Sequence, residues 1–195
     1  GELLSSTPLT LAETASVFGE MLTFRKLLDQ AKTQEERKVL LAGKVEDMIN
    51  TVVRQIAFYD FECKLHAARA QGELTPDDIN SLWMSVQGES LGPVFNFMDG
   101  YETFWGYIPH FVHSPFYVYA YAFGDGLVNA LYAVYEDMGE PFKDKYFDML
   151  KAGGSKHHSD LLAPFGLDAS DPAFWAKGLG MIEGMIDELE AMEDD

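Results

Sequence analysis

The stretch TQEERKVLLAGKVEDMINTVVRQIAFYDFECKLHAARA, Thr33 to Ala70, decides the fold class. Thr33-Gln34-Glu35-Glu36 has the form of a capping box: the threonine oxygen accepts from the N–H three residues on, and the glutamate there reaches back. Behind it Val39, Val45, Met48, Ile49, Val52, Val53 and Ile56 recur at helical spacing and mark an apolar stripe. One unbroken helix over these residues would be about 55 Å long. That is a scaffold element, and Gln71-Gly72 ends it.

The same signals extend in both directions. Upstream, Thr10-Leu11-Ala12-Glu13 is a second capping box, with Thr10 as N-cap. The helix it opens runs to about Ala31, with Ala15, Phe18, Leu22 and either Arg25 or Lys26 along one side. Glu13 and Glu20 stand two turns apart on a shared face. Downstream, Thr75-Pro76-Asp77-Asp78 starts a shorter helix. Gly92-Pro93 and Asp99-Gly100 break the pattern between Gly88 and Trp105. Ser114-Pro115 reads as the start of a helix reaching Met138, which Gly139 closes. Pro141 opens a helix that stops at Gly153-Gly154, and Asp160 to Gly166 reads as a short turn. Asp171-Pro172 caps a last helix carrying Trp175, Leu179, Ile182, Met185, Ile186 and Leu189. No stretch alternates at period two for long, so the expected fold is all-α: a helical bundle in one domain, residues 1–195, without repeat or linker.

Composition narrows the partners. The 195 residues carry 32 Asp and Glu against 14 Lys and Arg, a formal charge of −18, which repels nucleic acid and anionic membrane surfaces. The one cysteine, Cys63, has no internal disulfide partner and fits a reducing, cytoplasmic setting. No apolar run approaches the ~20 residues that cross a bilayer.

The residues with chemical potential gather between Tyr107 and Gly124. Eighteen positions hold two histidines, two prolines and four tyrosines. With a helix beginning at Ser114, Tyr117 and Tyr121 share a face and Tyr119 is turned away. His110 and His113 then fall just ahead of it, in an irregular stretch between Pro109 and Pro115. Two readings are open: aromatic core with hydroxyls paired to backbone, or the polar wall of an active site. Elsewhere the chain has no His-Glu-x-x-His, no Cys-x-x-Cys, no phosphate-cradling glycine loop and no nucleophile elbow. Gly153-Gly154-Ser155 reads as a helix C-cap, Cys63 as an inert buried thiol, and His157-His158 as an exposed loop pair. On spacing alone, Glu13 is a capping carboxylate and Glu20 a solvated one.

Two segments carry a resemblance. Thr7-Pro8-Leu9-Thr10-Leu11-Ala12-Glu13-Thr14-Ala15-Ser16-Val17-Phe18-Gly19-Glu20 and Ile108-Pro109-His110-Phe111-Val112-His113-Ser114-Pro115-Phe116-Tyr117 resemble the oligoendopeptidase F branch of the thimet-oligopeptidase family. Leu150 to Ser155 and Gly166-Leu167-Asp168 through Trp175 are similar to that family's C-terminal part, so the likeness covers essentially the whole chain in order. The resemblance implies a zinc metallopeptidase that cuts short peptides in a channel between helical halves. It implies that Glu13 is the third zinc ligand, after the two histidines of a His-Glu-x-x-His helix, and that Glu20 orients a ligand from the same helix. His110 and Tyr121, then Tyr117, match the positions that bind the substrate carbonyl and steady the oxyanion; His113 and Tyr119 match less well. Val118 stands where many relatives have a further tyrosine.

The paired-histidine helix should lie just before Thr7, and the chain opens at Gly1 without it. The expectation is therefore the C-terminal part of a zincin-like catalytic domain, partnered by the N-terminal remainder of the same polypeptide and inactive by itself. The alternatives are a non-catalytic helical interaction module on the same scaffold, and a carboxypeptidase with a similar cleft.

Overall fold

The computed structural model describes residues 13–192. The described residues form helices and connecting turns, and none of them is in a strand. The helices are α1 (Thr14–Gln30), α2 (Gln34–Met48), α3 (Arg54–Arg69), α4 (Pro76–Leu91), α5 (His110–His113), α6 (Tyr119–Met138), α7 (Pro141–Ala152), α8 (His158–Leu162) and α9 (Pro172–Ala191). No described helix is long and apolar enough to cross a membrane. The chain divides into two compact units. One contains the described residues up to Ile49 and from Phe123 onward; the other is Asn50–Ala122.

Several ends are where the caps put them. Thr33 accepts from the Glu36 N–H at 3.1 Å, although the Glu36 carboxylate reaches one residue further back, to the Lys32 N–H. Thr75 and Asp78 close a complete box, each side chain accepting from the other's N–H, at 3.2 and 2.8 Å. Asp171 accepts from the Ala173 N–H at 2.9 Å, ahead of Pro172. Such caps satisfy donors that a helix start leaves unpaired, each contributing about 1 kcal/mol.

Other boundaries differ. Thr10 lies outside the described residues, and α1 begins at Thr14, with Glu13 as the flanking residue. Its buried face is Thr14, Phe18, Met21, Phe24 and Leu28, so Ala15 and Leu22 face outward instead. The long helix is interrupted by a π-helical segment, Ile49–Val53. A π turn inserts one residue, which shifts the stripe. Leu41, Val45, Met48 and Val52 are buried at regular spacing, and the next buried residues are Ala57 and Phe58. Ile56 is consequently 53% exposed, and Val39, on the outer side of α2, 64%. On α9 the inward residues are Phe174, Gly178, Ile182 and Met185, leaving Leu179 outside.

In the first unit Phe18 is the hub of an aromatic cluster: its ring stacks on Phe142 at 5.6 Å and meets Tyr146 at 4.6 Å. Gly126 of α6 and Gly178 of α9 bring two helix backbones together. A Cβ built at Gly178 would lie 2.9 Å from the Gly126 carbonyl oxygen. In the second unit Ala57, Phe58, Phe61, Trp83, Val86 and Val118 form one core, with Trp83 fully buried and its indole N–H donating to the Tyr101 carbonyl. This core supports the histidine–tyrosine junction.

Candidate functional site

Residues 107–122 are built differently from a capped helix. His110–His113 form a single α-helical turn rather than irregular loop. Ser114-Pro115 does not start the next helix, which begins at Tyr119. Between them Phe116 adopts φ +59, the one non-glycine residue with positive φ among those described. A bulky side chain in this left-handed conformation costs roughly 1–2 kcal/mol, so something must hold it.

Glu62 of α3 holds it. Its carboxylate accepts from the Phe116 N–H at 2.8 Å. The Phe116 ring packs against His66 at 4.8 Å and Tyr59 at 6.1 Å, both from α3. Glu62 is 0% exposed, and its second oxygen has no hydrogen-bond partner among the described residues. Burial pushes its carboxyl above the usual carboxylate range; the Phe116 N–H and nearby His66 and His110 pull the other way.

The turn at Phe116 then sets the next residues. Tyr117 N–H donates to the Ser114 carbonyl, and Ala120 N–H to the Tyr117 carbonyl, so the chain winds into α6. Val118 points into the core against the Phe58–Phe61–Trp83 cluster. Its position after Tyr117 is thus a packing position here.

The result is a cluster of three polar aromatic side chains. His110 Nε2 and Tyr121 Oη are 3.2 Å apart. Their rings are perpendicular, with centroids 5.9 Å apart. Tyr117 lies 5.9 Å from His110 and 5.3 Å from Tyr121, centroid to centroid. All three are half-buried. With the proton on Nε2, His110 donates to Tyr121 and orients the phenol O–H toward a further acceptor. That is the chemistry of a donor aimed at a carbonyl oxygen. His113 is exposed, and Tyr119 turns to the other side, packing edge-on against Tyr59 at 5.4 Å. The structure thus brings His110, Tyr117 and Tyr121 together and leaves His113 and Tyr119 apart from them.

Glu13 belongs to the other unit. It is half-buried beside α6, where a Cβ built at Gly124 would be 3.7 Å from its own Cβ. The Ser16 hydroxyl, 3.2 Å from its carboxylate and 3.0 Å from its carbonyl, fixes its orientation. Glu20 is exposed, two turns along α1. Its negative charge adds to the effect of burial in raising the Asp125 carboxyl of α6, against Lys44 and a 2.8 Å hydrogen bond from Asn129. Among the described residues no three His, Cys, Asp or Glu side chains converge on a metal-sized site. Zinc takes three protein ligands at a catalytic centre. Glu13, accessible and oriented by a hydroxyl, fits one of these.

Two buried carboxylates, Glu62 and Asp125, escape a reading by motif. Glu62 sits four residues after Phe58 and one after Phe61, a carboxylate on the core-facing stripe of α3. Asp125 and Asn129 are likewise four apart and buried on α6. An acid at an apolar-stripe position is the one sequence signal that marks them.

Comparisons with known proteins agree on a family. The model of Peptidase family M3 matches residues 3–181. The chain is 33% identical over 185 residues to Oligopeptidase PepF of Bacillus subtilis, covering 93% of this chain and 27% of that protein. It is 31% identical over 186 residues to the plasmid oligoendopeptidase F of Lactococcus lactis, covering 95% and 31%. The chain thus spans 27% to 31% of the length of these two relatives. The crystal structure of oligoendopeptidase-F from Enterococcus faecium superposes with a TM-score of 0.85 at 26% identity, over 99% of this chain and 37% of that one.

Proposed function

The chain belongs to Peptidase family M3, and on that premise we propose that it is the C-terminal part of the catalytic domain of a zinc-dependent endopeptidase acting on short peptides. The observation that carries the proposal is the His110–Tyr121 pair, 3.2 Å apart on a junction braced by a buried core. The relatives named oligopeptidase and oligoendopeptidase support peptide hydrolysis over a purely structural helical module. The reaction is set in the cytoplasm, where thiols such as that of Cys63 stay reduced.

Glu13 would hold the zinc together with two histidines from the N-terminal remainder of the polypeptide. Ser16 steadies its carboxylate, and Glu20 lies along the same helix to orient a neighbouring ligand. When bound, zinc supplies Lewis-acid polarisation and an activated water near neutral pH. The residues of this chain do the rest. Tyr121, its phenol oriented by the His110 Nε2–H, donates to the substrate carbonyl oxygen as negative charge develops on it, and Tyr117 lies beside that pair. His113, exposed, and Tyr119, packed on Tyr59, stand apart from that pair and are the weaker candidates for a part in it. These 195 residues alone supply one zinc ligand and have no activity by themselves.

Glu13→Gln in the intact polypeptide tests this. The expected result is a sharp loss of zinc content and of cleavage of an internally quenched peptide, with the helical circular dichroism unchanged. Full zinc content and full cleavage in that variant would remove Glu13 as a ligand, and undiminished cleavage by the intact polypeptide stripped of zinc would remove the metallopeptidase reading. Product masses from a peptide blocked at both ends separate internal from terminal cleavage.

A further inference from the structure

The carboxylate of Glu62 plays no part in the mechanism above, yet it is the most completely buried acid in its unit and lies against the junction that carries His110 and Tyr121. Three residues of one α3 face converge on a single point: Glu62 on the Phe116 N–H, His66 and Tyr59 on the Phe116 ring. That point is the left-handed residue where the chain turns from the His110 helix toward α6. The Ser114 N–H donates back to the His110 carbonyl on one side of it, and Tyr117 N–H to Ser114 on the other. Releasing Phe116 therefore loosens both members of the pair relative to each other.

From this geometry we infer that Glu62 is a positioning residue: it clamps the Phe116 turn and so sets the distance between His110 and Tyr121. The inference rests on the reading of Tyr121, oriented by His110, as an oxyanion donor. It assigns the role to the reach of the carboxylate rather than its charge. One oxygen makes the hydrogen bond while the other has no partner among the described residues, and a neutral acceptor at the same place would serve.

Two conservative substitutions separate reach from charge. Glu62→Gln keeps the acceptor and removes the charge; Glu62→Asp keeps the charge and withdraws the acceptor by one methylene. Both are made in the intact polypeptide, loaded with zinc, with kcat and KM measured per zinc on an internally quenched peptide. Displacing a catalytic donor by about 1 Å costs up to about 10²-fold in rate, so Glu62→Asp should lose kcat toward that limit with KM little changed. Glu62→Gln should retain most of the wild-type kcat. Amide hydrogen exchange supplies a second readout: the Phe116 amide should be deprotected in Glu62→Asp and as protected as wild type in Glu62→Gln. A wild-type kcat in Glu62→Asp while Tyr121→Phe is impaired would overturn the inference. So would a loss in Glu62→Gln that Glu62→Asp does not share. If Tyr121→Phe itself keeps full kcat, the donor reading falls instead, and the inference about its geometry falls with it; the Phe116 exchange rates then still report whether Glu62 holds the turn.

Discussion

Gly178→Ala isolates the closest helix approach in the first unit. A Cβ there would lie 2.9 Å from the Gly126 carbonyl oxygen, 3.4 Å from its Cα and 3.5 Å from its carbonyl carbon. All three contacts are backbone, so no side chain can rotate away, and one of the two helices must shift. Overpacking of this kind costs about 1–3 kcal/mol. Against it stands the helix propensity of alanine over glycine, about 1 kcal/mol. Gly180 supplies the control: it lies in the same helix, is exposed, and has nothing within 4 Å of a built Cβ. Gly180→Ala should therefore gain about 1 kcal/mol, and the propensity term cancels between the two variants. What remains is the steric cost, which at roughly 2–4 °C per kcal/mol separates their melting temperatures by about 2–12 °C. Differential scanning calorimetry of both variants, made in the same background, measures that gap. Equal melting temperatures would refute the claim that α6 and α9 meet backbone to backbone at this point.

The other expectations concern charge and catalysis. Asp125 is buried, and burial holds its carboxyl above the normal range, so the folded chain binds that proton more tightly than the unfolded chain does. Stability should therefore decline as pH rises from the ordinary aspartate range through the raised value, and Asp125→Asn should flatten that decline in urea midpoints measured between about pH 4 and 8; an unaltered slope would count against it. In the intact enzyme, Tyr121→Phe and His110→Ala should each lower kcat by about 10²–10³-fold with small effects on KM, because the donor that His110 orients on Tyr121 acts in the transition state. Since the two side chains act as one unit, the double variant should lose little more than the worse single; multiplicative losses in steady-state kinetics would mean they act independently.

Much of the helical architecture is legible because its signals are local. The hydroxyl of Thr75, the carboxylates of Asp78 and Asp171, and the prolines that follow the caps act within a few residues of themselves, so spacing suffices to place α4 and α9. The π segment leaves no such trace. Ile49-Asn50-Thr51-Val52-Val53 would suit an ordinary helix, and the extra residue shows only in which side chains are buried beyond it. An apolar stripe extrapolated across that point puts Ile56 inside, when Ala57 and Phe58 take its place. Likewise, a threonine or glutamate pattern before α1 marks a start nearby, but not that Thr14, after Glu13, is the first residue in the helix.

The histidine–tyrosine junction shows the sharper division between local and distant causes. Ser114-Pro115 satisfies each local rule for a helix start, and Tyr117 would then sit one turn before Tyr121 on a regular face. The chain does otherwise because the Phe116 N–H has a better partner, a buried carboxylate 54 positions earlier in the sequence. That bond, with the His66 and Tyr59 rings around Phe116, offsets the left-handed backbone and delays α6 to Tyr119. Tyr117 and Tyr121 still meet, at 5.3 Å, but through a turn rather than along a helix. His110 joins them because the same turn folds its own short helix back against α6. The residue types were readable in the sequence, and the resemblance to a peptidase family singled out His110 and Tyr121. Their approach to hydrogen-bond distance depends on Glu62, which no local pattern connects to either of them.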